Sequence, residues 1–439
     1  MAVNPQELES FWMPFCANRD FKANPRIIES ASGHYYQSVD HRKIYDLFSG
    51  LWTSGIGHCH PKIVAAVQEQ VATLDFALSF QMGNVTAIKA AGKLTELAPA
   101  GFNHCFFTNS GSESVDTALK MVLAYHRVGG HAERTRLIGR ERGYHGVNFG
   151  GISVGGMSPN RKMFSANLLP GVDHLPHTHN IAHTAFSRGQ PQWGAHLADE
   201  LERIALLHDG SNIAAVIVEP VAGSAGVIPP PVGYLERLRK ICDSHGILLI
   251  FDEVITGFGR VGDSFATQRF GVMPDIITTA KGLTNGVIPM GAVLVQDHVY
   301  DRFMQGPPHA IEFLHGYTYS GHPVAAAAAL AALEVYEEEG IFAQARELET
   351  LFEEALHDFR DHPKVIDVRN FGLMGAIELA SIGSPGERGL AAHKKCFWEH
   401  DLVIRNGMDT LQFSPFLNSR PDDLHRAFEH VRQVIDELD

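Results

Sequence analysis

The 439-residue sequence lacks several features that mark specialised classes of protein. No uninterrupted apolar run approaches the ~20 residues that a membrane-spanning helix requires. Acidic residues outnumber basic ones by 50 to 36, and the net charge of -14 argues against a nucleic-acid-binding surface. The N-terminal residues lack the basic start and the apolar core of a secretory signal. We therefore expect a cytoplasmic protein with no membrane partner and no nucleic-acid partner.

Cysteines are few, and nothing in their spacing suggests a structural role. The sequence has five of them, widely scattered and without a C-x-x-C pair, which excludes a disulfide framework and a zinc ribbon. The 25 histidines invite a metal hypothesis, but their clusters lie in loop-like stretches without acidic residues or cysteines at ligand spacing. These clusters are His58 with His60, and His174, His177, His179 and His183. We expect no metal site; a metal-dependent hydrolase is the alternative, and it would lose activity to chelators.

Nucleotide-binding motifs are absent or misplaced. No G-x-x-x-x-G-K-[ST] sequence occurs. Residues 257–262 form a literal G-x-G-x-x-G, but that fingerprint requires the glycines directly between a strand and a helix. Here the preceding strand already ends at Asp252, and no helix start follows Gly262. We therefore do not expect a dinucleotide site.

The pattern that is present predicts an α/β protein. Apolar strands alternate with helices across about residues 100 to 295, which is typical of a mostly parallel sheet with helices on both faces. The length suits two domains. We predict an N-terminal segment (1–62), a large domain (63–325) and a smaller C-terminal α+β domain (326–439). The glycine-rich segment 150–156 is expected to be flexible, and the loop-rich stretch 148–192 is expected to cover the site.

One stretch, 247–282, carries the main chemical signal. The apolar run Ile247–Phe251 predicts a buried strand that ends at Asp252, and a second strand ends shortly before Lys281. Ligands of open α/β sheets bind at the carboxyl ends of the strands, so both side chains should face one crevice. Lys281 could form a Schiff base with an aldehyde cofactor while Asp252 keeps a ring nitrogen protonated, and pyridoxal phosphate needs both. Alone, each residue is more often a helix cap or a surface charge.

Other candidate residues each have an ordinary alternative. Residues 110–112 (Ser-Gly-Ser) precede an amphipathic helix whose N-terminus could bind an anion, although Ser110 could equally be a simple helix cap. Tyr144, between two glycines, could lay its ring on a flat heteroaromatic group. Trp52 could wall a pocket or pack in the core. Arg405, placed at the end of a short strand, could bind a carboxylate or be a surface arginine.

Several motifs together resemble one family. FDEV, GFGR and AKG at this spacing, with GYHG, EP and TYSGHP, resemble the class III, fold type I aminotransferases that use pyridoxal phosphate. The resemblance runs from about Phe11 to the C-terminus. FWMPF, SGLWTSG, TNSGSES, RGYHGVN, DHLPHT and NIAAVIVEP are similar to the ω-amino acid:pyruvate, or β-alanine:pyruvate, branch. This resemblance implies the fold type I architecture.

The resemblance also implies roles for particular residues. Ser110, Gly111 and Ser112 would cradle the cofactor phosphate, and Thr318 would reach the phosphate bound in a neighbouring subunit. The full cofactor-binding set is Ser110, Gly111, Ser112, Tyr144, His145, Glu219, Asp252, Val254, Lys281 and Thr318. The substrate-binding set is Trp52, Phe15, Tyr144 and Arg405, and the catalytic pair is Lys281 and Asp252. The sequence departs from many class III enzymes at Ile255, where they have Gln near the cofactor's ring oxygen, so that contact should be absent or replaced by water.

The expected activity is a ping-pong transamination from a small-molecule amine donor to a keto-acid acceptor. An ω-amino acid such as β-alanine, or a primary amine, would give its amino group to pyruvate, forming an aldehyde or ketone and L-alanine. A site completed by two chains implies a homodimer or a dimer of dimers. Alternatives are other class III substrate pairs (taurine, 4-aminobutyrate or a diamine, with 2-oxoglutarate), an aminomutase or decarboxylase of the same fold, and a non-catalytic relative.

Overall fold

A seven-stranded sheet forms the centre of the molecule in the computed structural model, which describes residues 4–439. Its strands are β4 (His104–Thr108), β5 (Arg136–Arg140), β6 (Val172–Leu175), β7 (Ile213–Val218), β8 (Leu248–Asp252), β9 (Ile276–Thr279) and β10 (Gly291–Val295), in the order β4-β10-β9-β8-β7-β5-β6. Only β10 runs antiparallel to its neighbours. Every residue of β7, β8, β9 and β10 is buried, as expected for strands covered on both faces. The mostly parallel sheet predicted from the sequence is confirmed.

Two four-stranded sheets flank the central one. The first joins β1 (Ile28–Ser32), β2 (Tyr35–Ser38), β3 (Lys43–Asp46) and β13 (Leu402–Val403); the second has the order β11 (Val365–Phe371), β12 (Met374–Leu379), β15 (Thr410–Phe413), β14 (Arg405–Gly407). Because β13 pairs in parallel with β3, the C-terminal part of the chain completes the N-terminal sheet. This supports packing of the N-terminal segment with the small domain. The predicted boundaries remain a proposal, and residues 1–3 of that segment lie outside the described part.

Helices surround the sheets. They are α1 (Pro5–Ser10), α2 (Asn18–Ala23), α3 (Ser49–Trp52), α4 (Pro61–Thr73), α5 (Val85–Leu97), α6 (Gly111–Val128), α7 (Phe149–Val154), α8 (Ser158–Lys162), α9 (Ile181–Thr184), α10 (Glu200–His208), α11 (Tyr234–His245), α12 (Ala266–Phe270), α13 (Asp297–Phe303), α14 (Pro323–Glu338), α15 (Ile341–His357), α16 (Glu387–His400) and α17 (Pro421–Glu437). The alanine-rich α14 is buried along most of its length, and the Tyr336 hydroxyl donates to the Gly282 carbonyl at 2.8 Å. That bond fixes the turn after β9. Among the described helices, none is long and apolar enough to cross a membrane.

The glycine-rich stretch after Tyr144 is not the flexible loop that the sequence predicted. It forms the buried helix α7, and β6 and α9 follow within the same stretch. Its glycines permit close packing: a side chain on Gly151 would clash with the His145 carbonyl, and one on Gly150 would meet Asp116 Oδ1 at 2.5 Å. The prediction was wrong because small residues can signal tight packing as well as freedom.

Candidate active site

A cavity of about 480 Å³ opens at the carboxyl ends of β8 and β9, beside the N-terminus of α6. Its lining comprises Pro14, Phe15, Leu51, Trp52, Ser110, Gly111, Ser112, Tyr144, His145, Gly146, Met157, Asn160, Glu219, Ser224, Asp252, Val254, Ile255, Lys281, Arg405 and Gln412. Every residue of the predicted site except Thr318 lies in this lining. The parallel pairing of β8 with β9 explains the convergence, because it brings both strand ends to one edge.

Lys281 follows β9 by two residues and has a left-handed backbone (φ 48°). Residues other than glycine, asparagine and aspartate rarely adopt this backbone conformation. Where they do, they are often found at functional sites. Burial lowers the pKa of Lys281 to about 8, and the charges of Asp252 and Glu219 only partly oppose this effect. No acceptor within residues 4–439 lies at hydrogen-bond distance from its amine. A larger share of this amine is therefore neutral and nucleophilic near pH 7 than of an exposed lysine.

Asp252 is buried and held by three donors. His145 Nδ1 lies 2.7 Å from Oδ2, while the Val254 N–H and the Thr278 hydroxyl donate to Oδ1 at 3.2 and 3.1 Å. A carboxylate only accepts, so His145 carries its proton on Nδ1. His145, which the sequence left between a supporting and a structural role, directly orients the key carboxylate.

Glu219 fixes the opposite wall. Its two carboxylate oxygens accept the backbone N–H groups of Tyr144 at 2.9 Å and of Gly223 at 3.2 Å. Burial raises the pKa of Glu219. Through its bond to the Tyr144 N–H, Glu219 holds Tyr144 in position at the cavity.

The N-terminus of α6 faces the cavity with free N–H groups. The first N–H groups of a helix have no partner within the helix, and the Ser110 hydroxyl takes that of Glu113 at 3.2 Å. Those of Gly111 and Ser112 remain, with the positive end of an 18-residue helix behind them. A side chain on Gly111 would meet Val254 Cγ1 at 2.9 Å. Ser110 is thus both the ordinary helix cap and part of an anion cradle.

Apolar side chains form another wall. Trp52 is only 4% exposed and packs edge-to-face on Phe48 with ring centroids 5.2 Å apart. Its ring and Ile255 lie against the backbone of Gly223, where no side chain would fit. Trp52 therefore both packs in a core cluster and lines the cavity. The apolar Ile255 supplies packing here, and its side chain offers no polar group to the cavity.

Arg405 lies in the lining without an acidic partner. No carboxylate within residues 4–439 comes within 4.0 Å of its guanidinium, so a ligand carboxylate could bind there. The sequence placed Arg405 at the end of a strand, which was wrong: it begins β14, opposite Gln412 of β15. The short interruption at Ile404 separates β13 from β14, and apolar patterning alone does not reveal it.

Thr318 is exposed and does not line the cavity of its own chain. It lies beside an exposed apolar surface: Phe76 contacts the neighbouring Tyr319 with ring centroids 6.0 Å apart, and a side chain on Gly316 would touch Phe80. A role at a neighbouring subunit's site stays a prediction.

Besides Ile255, seven lining residues were not among the predicted site residues; Gly146 directly follows His145, and the other six come from elsewhere. These six are Pro14, Leu51, Met157, Asn160, Ser224 and Gln412. Each belongs to a turn, a short helix or a short strand brought in from far along the chain, and no local pattern distinguishes them. Only the expectation that residues 148–192 cover the site pointed towards Met157 and Asn160.

One histidine of these clusters has acidic neighbours in space that the sequence spacing does not show, because distant strands supply them. His179 groups with Asp367 and Glu378 within 4.8 Å. However, Arg369 Nη1 already lies 2.5 Å from Asp367 and 2.6 Å from Glu378. A guanidinium occupies the place between the carboxylates, so the group is better described as a buried ion-pair network than as a cation site.

The G-x-G-x-x-G stretch forms a turn well separated from a helix. β8 ends at Asp252, and α12 begins only at Ala266. Arg260 within this turn donates to the Ser49 hydroxyl at 2.9 Å and to the Pro415 carbonyl at 2.6 Å. The motif thus connects three parts of the chain.

Comparison with known proteins decides the family. The model of class-III aminotransferases matches residues 16–435. The chain belongs to the class-III aminotransferase family. An omega-aminotransferase of Caulobacter vibrioides is 55% identical over 99% of this chain and 98% of that protein. A beta-alanine–pyruvate aminotransferase of Pseudomonas aeruginosa is 51% identical over 98% of this chain and 96% of that protein.

A solved relative agrees with the fold. The omega transaminase of Pseudomonas jessenii, determined in complex with PMP, superposes with a TM-score of 0.93 at 32% identity, covering 100% of this chain and 98% of that one. This class III aminotransferase therefore has the fold type I architecture and depends on pyridoxal phosphate. The residues fit that cofactor: a free buried amine at Lys281, a buried Asp252, and unpaired N–H groups at Gly111 and Ser112 for a phosphate.

Proposed function

We infer that this aminotransferase moves the amino group of an ω-amino acid such as β-alanine, or of a primary amine, to pyruvate, producing an aldehyde or ketone and L-alanine. One observation carries this proposal: a single cavity contains Lys281, an apolar wall at Trp52, and Arg405, whose guanidinium has no carboxylate partner in the described chain. Relatives 50% and 51% identical are named for pyruvate as acceptor, which supports the same acceptor here.

Lys281 and Asp252 are the proposed catalytic pair. Bound pyridoxal phosphate supplies the electron sink for a carbon–hydrogen bond of the substrate. The amine of Lys281 would take the proton from that carbon and return it, since its lowered pKa lets it act as base and acid near neutral pH. Asp252, held in place by His145, would keep the proton on the ring nitrogen.

The remaining residues would bind and orient. The Ser110–Ser112 turn would hold the phosphate, with Val254 packed against Gly111. Tyr144 would lie against the ring, its backbone fixed by Glu219. Arg405 would bind the carboxylate of pyruvate and of carboxylate-bearing donors.

Trp52 and Phe15 would form the donor wall; Trp52 is buried, whereas Phe15 is 78% exposed at the cavity's edge. Together with Tyr144 they leave room for uncharged or ω-terminal donors.

The active unit is proposed to be a homodimer or a dimer of dimers in the cytoplasm. Thr318, exposed beside an apolar surface, would complete the phosphate site of a neighbouring subunit. The exposed apolar side chains around it are what a subunit interface would cover.

A donor and acceptor panel tests the proposal. Purified, cofactor-loaded protein is given pyruvate or 2-oxoglutarate with β-alanine, taurine, 4-aminobutyrate, putrescine or 1-phenylethylamine. Alanine formation with little glutamate is expected. Preference for 2-oxoglutarate would overturn the proposed acceptor and the role of Arg405, and product without any keto acid would indicate an aminomutase or decarboxylase.

A further inference from the structure

The turn at residues 48–52 brings Leu51 and Trp52 to the cavity in an unusual backbone conformation. The φ angles are 41° at Ser49, 71° at Gly50 and 62° at Trp52. Residues other than glycine rarely adopt this left-handed backbone region. They do so where the surrounding structure holds the backbone in that conformation. The shape of the turn must therefore be fixed by groups outside it.

Asp46 is the group that holds the turn from one side. It is the last residue of β3 and is fully buried. Its Oδ1 accepts the Phe48 N–H at 3.0 Å, and its Oδ2 accepts the Gly50 N–H at 2.5 Å. One carboxylate thus satisfies two backbone donors of the turn, and charge-assisted bonds of this kind are strong.

Other side chains keep both Asp46 and the turn in place. His58 Nε2 lies 3.0 Å from Asp46 Oδ2, and the His58 ring packs on Tyr36 with ring centroids 4.4 Å apart. Burial and the nearby charge of Asp46 raise the pKa of Tyr36, so this hydroxyl stays uncharged beside the carboxylate. From the other side Arg260 donates to the Ser49 hydroxyl, which in turn donates to the Ser414 carbonyl at 2.9 Å.

The position of the Trp52 ring depends on this arrangement. The ring touches the backbone of Gly223 and lies beside Ile255, so a small rotation of the turn would move it into or out of the cavity. We propose that Asp46 is a positioning residue for donor selection: through the 48–52 turn it fixes Trp52 and hence the size of amine that the cavity accepts. The proposal rests on the proposed transfer from amine donors.

Asp46→Asn tests this in the holoenzyme. Asparagine has the same size, but its NH₂ group cannot accept a backbone N–H. The measured quantity is the ratio of kcat/KM for 1-phenylethylamine to that for β-alanine, with pyruvate as acceptor. The ratio should rise about fivefold, because the released Trp52 ring makes room for the larger donor. When Trp52 is first replaced by Phe, Asp46→Asn should change the ratio less than about twofold.

Asp275→Asn is the matched control. Asp275 is also buried, accepts a backbone N–H (Leu249, 2.7 Å) and pairs with a histidine (His298, 3.1 Å) and with Arg239 (2.8 Å). It precedes β9, however, and so lies at the end of that strand opposite the cavity. It should leave the donor ratio unchanged. Three results would overturn the proposal. The donor ratio could be unchanged in Asp46→Asn, it could shift equally with Trp52 and with Phe at position 52, or it could shift equally in Asp275→Asn.

Two further outcomes are separable. If Asp46→Asn does not fold, His58→Phe replaces it in the cycle. This change keeps an aromatic ring, removes one donor to the same carboxylate and should shift the ratio in the same direction by less. A wild type that uses 2-oxoglutarate in place of pyruvate would count against the proposed acceptor only. The donor ratio would then be measured with that acceptor and would still decide the role of Asp46.

Discussion

At the scale of single residues, the buried amine of Lys281 gives a pH signature. Burial disfavours the ammonium form, which lowers the pKa of Lys281 to about 8, so roughly a tenth of the amine is neutral at pH 7. The rate at which the cofactor-free enzyme takes up pyridoxal phosphate should rise with pH, reach half of its maximum near pH 8 and level off above about pH 9. Stopped-flow absorbance measures it, with Nα-acetyl-lysine as the unburied control. A rate that keeps climbing to pH 10 would contradict the lowered pKa.

Removing the amine should abolish catalysis. Lys281→Ala loses the proposed proton carrier, and turnover should fall by at least ~10²–10⁴-fold. Alanine formation and the long-wavelength absorbance of the bound cofactor report the effect, and Lys240→Ala, in the surface part of α11, is the control. Retained transamination in Lys281→Ala would refute its assignment.

The guanidinium of Arg405 should matter for carboxylates and not for simple amines. Arg405→Leu removes a charge-assisted contact, so kcat/KM for pyruvate should fall ~10–100-fold. The half-reaction with 1-phenylethylamine, followed by cofactor absorbance, should change far less. Equal losses in both half-reactions would mean that Arg405 supports the cavity as a whole.

The sequence predicted the residues that end buried strands better than the others. Asp252 and Lys281 were identified because parallel strands bring their carboxyl ends together, a rule that needs no coordinates. Asn160, Ser224 and Gln412 could not be found, because irregular segments far apart in sequence bring them to the cavity. The contact of His145 with Asp252 could not be predicted either, because 107 residues separate the two in sequence.

At the scale of elements, α7 shows how composition can mislead. Its glycines predicted flexibility, yet at Gly151 the missing side chain lets the helix pack on the His145 carbonyl. Gly151→Ala should destabilise the protein by about 1–3 kcal/mol through overpacking. Urea unfolding measures this change.

The control for that helix is Gly92→Ala. Gly92 lies within α5, and nothing lies within 4 Å of an added side chain there. The substitution should stabilise the protein by about 0.5–1 kcal/mol through helix propensity alone. If both variants behaved alike, close packing at α7 would not be the reason for its glycines.

At the scale of the whole molecule, the site is proposed to need two chains. Thr318→Ala should weaken cofactor binding ~10–100-fold if its hydroxyl bonds a phosphate. A mixed dimer of one Lys281→Ala chain and one Thr318→Ala chain should regain one site of wild-type affinity. In that site the Thr318→Ala chain provides its intact Lys281, and the Lys281→Ala chain provides its intact Thr318. Fluorescence titration of such hybrids would show no recovery if Thr318 served its own chain.

The sequence also predicted the overall architecture, because buried parallel strands leave long apolar runs that the intervening helices separate. It could not reveal that β13 completes the N-terminal sheet, since a two-residue strand has no pattern of its own. The division into domains remains a prediction that limited proteolysis could test.

Transfer of nitrogen from an ω-amino group to pyruvate is the central claim, and isotope labelling measures it most directly. The holoenzyme is incubated with ¹⁵N-labelled β-alanine and pyruvate, and the products are analysed by mass spectrometry. The account predicts ¹⁵N-alanine in an amount equal to the β-alanine consumed. Alanine without label, or label that appears only in glutamate when 2-oxoglutarate is supplied, would contradict it.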